Sequence, residues 1–189
     1  MALEKLYDCC FFTFGRFQPP TIGHEENIKG VKNAASKCDW RIYTSKSQDK
    51  SGKNPLEPGK KVTWMKKMFP SYAKNIVGAQ KSVIECLQDI QAAGYEDATL
   101  VVGSDRLSAF QWIHKYNGKD YYFRKLDIVS SGNRDADGDT FAISGTKMRR
   151  AAFAEDFGSF RQGIPKALGN GDCEKLMMEI KKALPSNFK

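Results

Sequence analysis

The stretch LYDCCFFTF at residues 6–14 is apolar and rich in aromatics, shows no polar–apolar alternation, and stops at Gly15. A strand with one wet face alternates with period two, so a run of this length without alternation reads as a strand buried on both faces. Both faces of a strand are covered in a parallel sheet packed between helices, and that requirement organises the rest of the reading.

The residues that follow supply the helices. Residues 24–37 carry Ile28, Val31, Ala34 and Ala35 at helical spacing. WRIYT at 40–44 reads as a second short strand, and 45–59 (SKSQDKSGKNPLEPG) as a long polar loop of the kind that is often functional. Val62, Met65 and Met68 share a face of a helix over 60–68 that Pro70 stops, and residues 75–78 read as a short third strand. Val83, Leu87 and Ile90 predict an amphipathic helix over 82–93, ended by Gly94. ATLVV at 98–102 is a strand stopped by Gly103, residues 107–116 a helix, and LDIVS at 126–130 the last strand. A turn-rich loop at 132–139 precedes helical patterns at 144–155, 157–162 and 173–184.

Strands alternating with helices predict an α/β fold of three layers, a parallel sheet with helices on both faces. The expected organisation is one domain over residues 1–189, with the helices from about residue 151 packed on the core. In such sheets ligands bind beyond the carboxyl ends of the strands, where the strand order reverses. The loops at 15–23, 103–105 and 132–146 are therefore the candidates.

The balance of 30 Lys+Arg against 22 Asp+Glu, a formal +8, favours anionic ligands without choosing among phosphates, nucleic acid and an acidic surface. No apolar run of membrane-spanning length occurs, and the opening MALEKLYDCC lacks the order of a signal peptide, so a soluble cytoplasmic protein is expected. Cys9, Cys10, Cys38, Cys86 and Cys173 are odd in number and contain no CxxC pair. They predict reduced, buried thiols in place of a disulfide framework or a zinc site.

The loop GRFQPPTIGH at 15–24 has its own logic. Gly15 permits a sharp turn and a close backbone approach, Pro19 and Pro20 hold the loop open, and Gly23 stands where the next helix begins. Amides at that helix start are expected to face an anion, with His24 in the first turn as a hydrogen-bond donor to phosphate.

GRFQPPTIGH resembles the first signature of the nucleotidylyltransferase superfamily, GxFxPxHxGH or its variant with Thr for the first His, and ISGTKMR at 143–149 resembles the second, ISSTxxR. The resemblance covers roughly residues 6–149. The chain is similar to archaeal-type nicotinamide mononucleotide adenylyltransferases, with Asn54-Pro55-Leu56 in the place of their NP-containing stretch. Over more of its length it is similar to phage-encoded cytidylyltransferase-like proteins, through GRFQPPTIGH, VVGSDR at 101–106 and the KMR segment. It departs from the pattern at Thr21, where many members have a histidine, at Gly145, where ISST has its first-choice serine, and at Lys60-Lys61, where the archaeal enzymes tend to have Glu-Arg.

The resemblance implies a Rossmann-like fold and a reaction in which a nucleoside triphosphate and a phosphomonoester yield a nucleotide-linked product and pyrophosphate. ATP stands ahead of CTP as donor, because ISGTKMRR does not match the RTxGIS-type motif of the cytidylyltransferases for glycerol phosphate or phosphocholine. It also implies His24 at the α-phosphate, Ser144 and Thr146 at the β- and γ-phosphates, and the Arg149 guanidinium on the same anion. Gly15, Arg16, Phe17, Gln18, Thr21, Gly23, Gly103 and Asp105 form the expected nucleotide-binding surface, Asp105 toward a ribose hydroxyl. Lys46 and Arg134 are candidates for the second substrate, with Lys50, Lys53, Lys60 and Lys61 as alternatives to Lys46. Magnesium is expected with the triphosphate, held by phosphates and water, with no metal ligands from the protein. No membrane or nucleic acid is required, and superfamily members are often homo-oligomers. His114 reads as an ordinary helical residue. Two other readings compete. A class I aminoacyl-tRNA synthetase would show KMSKS, where Lys147-Met148 is here followed by Arg149-Arg150; a non-catalytic nucleotide- or nucleic-acid-binding module would use the same charge.

Overall fold

The computed structural model describes residues 3–131 and 143–188. β1 (Cys9–Gly15) lies at the centre of a five-stranded, wholly parallel sheet, between β2 (Asp39–Ser45) and β4 (Asp97–Val102). Outside these lie β3 (Ile76–Gln80) and β5 (Lys125–Ser130), giving the order β3-β2-β1-β4-β5. The central position accounts for the absent alternation: Cys10 and Phe12 pack into the core on one face of the sheet and Phe11 against the core on the other. The strand starts later than the apolar run, since Leu6 and Tyr7 are exposed and their amides donate to the Asp39 carboxylate.

On one face pack α1 (Ile22–Ala35) and α2 (Pro58–Met68), through Ile28, Val31, Met65 and Met68. On the other pack α3 (Val83–Ala92), through Val83, Cys86, Leu87 and Ile90, and a 3₁₀ segment at Ser108–Tyr116, through Ile113. The chain runs outward from β1 to β3 and then crosses back to β4 and β5. Crossovers of one hand must change face when the direction changes, which gives three layers. α4 (Gly145–Phe153), α5 (Phe157–Gln162) and α6 (Asn170–Ala183) join the first face. Cys173, Leu176, Met177 and Ile180 of α6 are all buried. At about 1.5–3 kcal/mol for each large apolar side chain, this stripe is what docks the last helix.

Local chemistry sets the helix ends. The Glu57 carboxylate caps α2 by accepting from the amides of Gly59 and Lys60 at 2.9 and 3.0 Å, and Pro58 occupies the first turn. Ser82 caps α3, and Gly94, at φ 88°, turns the chain out of it. The helix expected at 107–116 is a 3₁₀ segment. Its apolar residues Leu107, Phe110 and Ile113 recur every third position, which suits three residues per turn better than 3.6.

One expectation is corrected. Cys9 and Cys38 form a disulfide, with Cα atoms 5.2 Å apart, while Cys10, Cys86 and Cys173 are free and buried. The parallel register sets Cys10 beside Asp39 and so brings the preceding residues of both strands together. That proximity belongs to strand pairing and leaves no trace in cysteine spacing. Burial pushes the Cys10 thiol up to about 12 and raises Cys86 as well, so these two behave as apolar filler. Among the described residues no helix is long and apolar enough to cross a membrane.

Candidate active site

A cavity of about 570 Å³ opens beyond the carboxyl ends of β1 and β4, the two strands between which the sheet order reverses. Thr13, Phe14 and Gly15 of β1, Val101, Val102 and Gly103 at the end of β4, and the start of α4 form its walls. The side chains of Arg16, His24, Lys53, Arg106 and Arg149 line it, and among the described residues no Asp or Glu does.

The β1–α1 loop is held from within. Phe17 adopts a positive φ of 48°, a backbone state that a bulky residue keeps only when its surroundings hold it there. Its buried ring stands over Gly15 and tilts against the His24 ring, with centroids 4.7 Å apart. A Cβ on Gly15 would lie 2.8 Å from that ring, so the first glycine of the motif makes room for the phenylalanine. The buried Gln18 amide donates to the carbonyls of Ser47 and Leu56 at 3.1 and 2.9 Å and accepts from the Leu56 amide at 2.9 Å. This clamps the β1–α1 loop to the long β2–α2 loop. The Gln18–Pro19 peptide is cis.

Thr21, where many superfamily members carry a histidine, is the N-cap of α1. Its backbone amide donates to His24 Nδ1 at 3.0 Å, with its hydroxyl also 3.0 Å from the same nitrogen. An accepting Nδ1 assigns the proton of the neutral ring to Nε2, the nitrogen that can donate to a ligand. The expectation of open amides at this helix start is corrected for three of them. Those of Thr21, Ile22 and His24 are bonded to His24 Nδ1, to Gly163 O at 3.0 Å, and to Thr21 O at 3.0 Å. Neither Thr21 nor Gly23 lines the cavity, and the imidazole is the part of this turn that reaches it.

The second wall is the start of α4. Ser144 caps the helix, accepting from the Lys147 amide at 3.2 Å, and Ser144, Gly145 and Thr146 all line the cavity. Arg149, one turn on, donates from Nη1 to Gln18 O at 2.6 Å and from Nη2 to Thr146 Oγ1 at 3.0 Å, while its buried Nε has no partner among the described residues. Burial, and then the charge on Arg16, lower its pKa against a smaller opposing pull from Asp49. The contact with Gln18 joins the two sequence motifs directly. It requires Gly145, because a Cβ there would lie 2.8 Å from Gln18 O and 3.1 Å from Arg149 Nη1.

The remaining candidates separate. Gly15, Arg16, Phe17, Gln18 and Gly103 line the cavity; Asp105 is exposed and does not. Arg106, the next residue, enters it instead, its guanidinium 5.1 Å from the centroid of the Phe110 ring. Arg106 closes the VVGSDR segment. Lys46 is exposed outside the cavity, whereas Lys53 from the long loop lines it and Lys61 is wholly buried. Arg134 lies outside the described residues. Among the described residues no group of three His, Cys, Asp or Glu is placed to hold a metal ion.

A cavity of this kind can bind a polyanion and stabilise charge that develops on it. The search of curated proteins gives no match. Residues 12–151 match the model of the cytidylyltransferase-like family, and on that match, which takes in both motifs and both walls of the cavity, the chain belongs to that family within the nucleotidylyltransferases.

Proposed function

We propose that the protein transfers a nucleotidyl group from a nucleoside triphosphate to a phosphomonoester and releases pyrophosphate. The observation that carries this reading is the charge of the cavity at the sheet's switch point: Arg16, Lys53, Arg106, Arg149 and His24 converge there with no carboxylate among the described lining residues. The nucleophile of such a reaction is an already ionised phosphate oxygen, so positioning and charge stabilisation suffice and no general base is needed. In this reading His24 donates from Nε2 to the α-phosphate. Arg149 and the Ser144–Thr146 turn hold the β- and γ-phosphates. Lys53 takes the cationic place expected of Lys46, and Arg106 faces the phosphate of the acceptor from the β4 side. Magnesium enters with the triphosphate as part of the substrate, held by phosphates and water. ATP is the donor we propose, on the second motif; CTP is the alternative that the family description raises.

The test is pyrophosphate release with ATP, CTP, GTP and UTP crossed against a panel of phosphomonoesters, wild type beside His24→Ala. We expect release with one donor, falling about 10²–10³-fold in the variant, the usual cost of one donor to transition-state charge. Salt-dependent polynucleotide binding that survives loss of His24, with no release from any pair, would overturn this reading in favour of a binding module.

A further inference from the structure

Lys61 is 0 % exposed and among the largest fully buried side chains of the protein. Lysine is almost never sealed in this way unless a carboxylate accompanies it. Among the described residues the ammonium has none: it donates to the carbonyl of Arg16 at 2.9 Å and to the carbonyl of Ser45, with the Ser45 hydroxyl at 3.5 Å. Burying an unpaired cation is costly, and an apolar side chain of the same volume would fill the space more cheaply. The chain keeps a positive charge at this point, and the point is informative. Arg16 lines the cationic cavity from the loop after β1, Ser45 ends β2, and Lys61 itself sits on α2. One ammonium group thus ties together the three elements that carry the phosphate loop, beside the separate Gln18 clamp between the same two loops.

Resting on the nucleotidyl-transfer reading, we propose that Lys61 is a positioning residue of the phosphate site: its buried ammonium pins the β1–α1 loop from beneath and holds a positive charge behind the wall that Arg16 and Arg149 present to the triphosphate. The charge is one that changes in an accessible range, because burial pushes the ammonium pKa down to about 8. A neutral amine keeps hydrogens for both carbonyls, so loss of the proton removes the charge and leaves the ties. The pinning and the charge can therefore be read separately. The other ionisable groups on the elements around it include Arg16, His24, Arg41, Tyr43, Lys46, Asp49, Lys50, Lys53, Glu57, Lys60, Lys66, Lys67 and Arg149. All are common to wild type and a Lys61 variant, so a difference between the two pH profiles belongs to Lys61.

The experiment is calorimetric binding of inorganic tripolyphosphate, a probe that needs neither base recognition nor turnover, to wild type and Lys61→Met at pH values from about 7 to 9.5. With cooperative unfolding retained, we expect the variant to bind about tenfold more weakly near neutral pH, and the gap to close as the wild-type ammonium loses its proton. Equal binding by a folded variant, a gap that does not change with pH, or no binding by wild type would each overturn the proposal. Should Lys61→Met not fold, the Lys61 Nζ resonance of wild type is titrated with and without tripolyphosphate. Linkage requires the bound anion to raise its pKa, and an unchanged titration refutes the role. Tripolyphosphate binding with the Lys61 signature but without pyrophosphate release would remove the transfer reading and leave this one standing. Transfer unaffected in the variant would do the reverse.

Discussion

Gly145 stands where the superfamily's second motif has serine, and the geometry predicts that restoring the motif harms the protein. A Cβ at this position would lie 2.8 Å from the backbone oxygen of Gln18, far inside ordinary carbon–oxygen contact, and 3.1 Å from Arg149 Nη1. Gln18 O cannot swing aside, because the Gln18 side chain is fixed to Leu56 by two hydrogen bonds. The helix start must retreat, and the 2.6 Å bond from Arg149 to Gln18 O must stretch or break. Overpacking of this kind costs about 1–3 kcal/mol, and loss of a charge-assisted hydrogen bond a further ~1.5–3 kcal/mol, the two overlapping because they share one contact. Serine returns only a few tenths in helix propensity over glycine. A net destabilisation of about 2–3 kcal/mol follows, which for a chain of this size lowers Tm by about 4–12 °C. The assay is thermal unfolding of Gly145→Ser and Gly145→Ala with and without triphosphate. Both should melt lower and gain less from the ligand than wild type, the alanine showing that Cβ alone suffices. A serine variant that melts at or above wild type and keeps the full ligand shift would refute the argument.

Two further outcomes concern the scaffold. The Cys9–Cys38 bridge closes a separation of 29 residues, and chain entropy gives such a loop about 3.5 kcal/mol. Cys38→Ser or reduction should thus lower Tm by about 7–14 °C, read by calorimetry, with wild type and variant converging under reductant. Lys61 has a folded pKa lowered from 10.5 to about 8, so between those values the unfolded chain holds a proton that the folded one has released. Stability from this group therefore rises as pH climbs through that window, each unit of pKa difference being worth about 1.4 kcal/mol. Urea unfolding at both ends of the window should show the rise in wild type and lack it in Lys61→Met.

The motifs were legible because their chemistry is local. In the first, Gly15, Phe17 and His24 meet within one loop and one helical turn, and in the second Ser144, Thr146 and Arg149 share the start of one helix. The same locality holds for the buried central strand, whose missing alternation reports two covered faces, and for the capped ends of α2 and α3. Lysine roles were not legible in this way. Lys46, Lys53 and Lys61 lie in one basic stretch, yet the fold leaves the first exposed outside the cavity, puts the second in its wall and seals the third beneath the loop.

The sequence by itself determined the order of strands and helices, the place of the candidate cavity beyond β1, and the basic and hydroxyl residues that line it from the two motifs, because each of these is written in spacings of a few residues. Only the tertiary structure decided that Gly163 occupies the amide of Ile22, that Cys9 meets Cys38, that Arg106 enters the cavity in place of Asp105, and that Arg149 reaches Gln18 across 131 positions of chain. Pairing of strands and docking of helices set which distant atoms come within hydrogen-bonding reach. No local pattern carries that information, since the contact exists only once the core has packed.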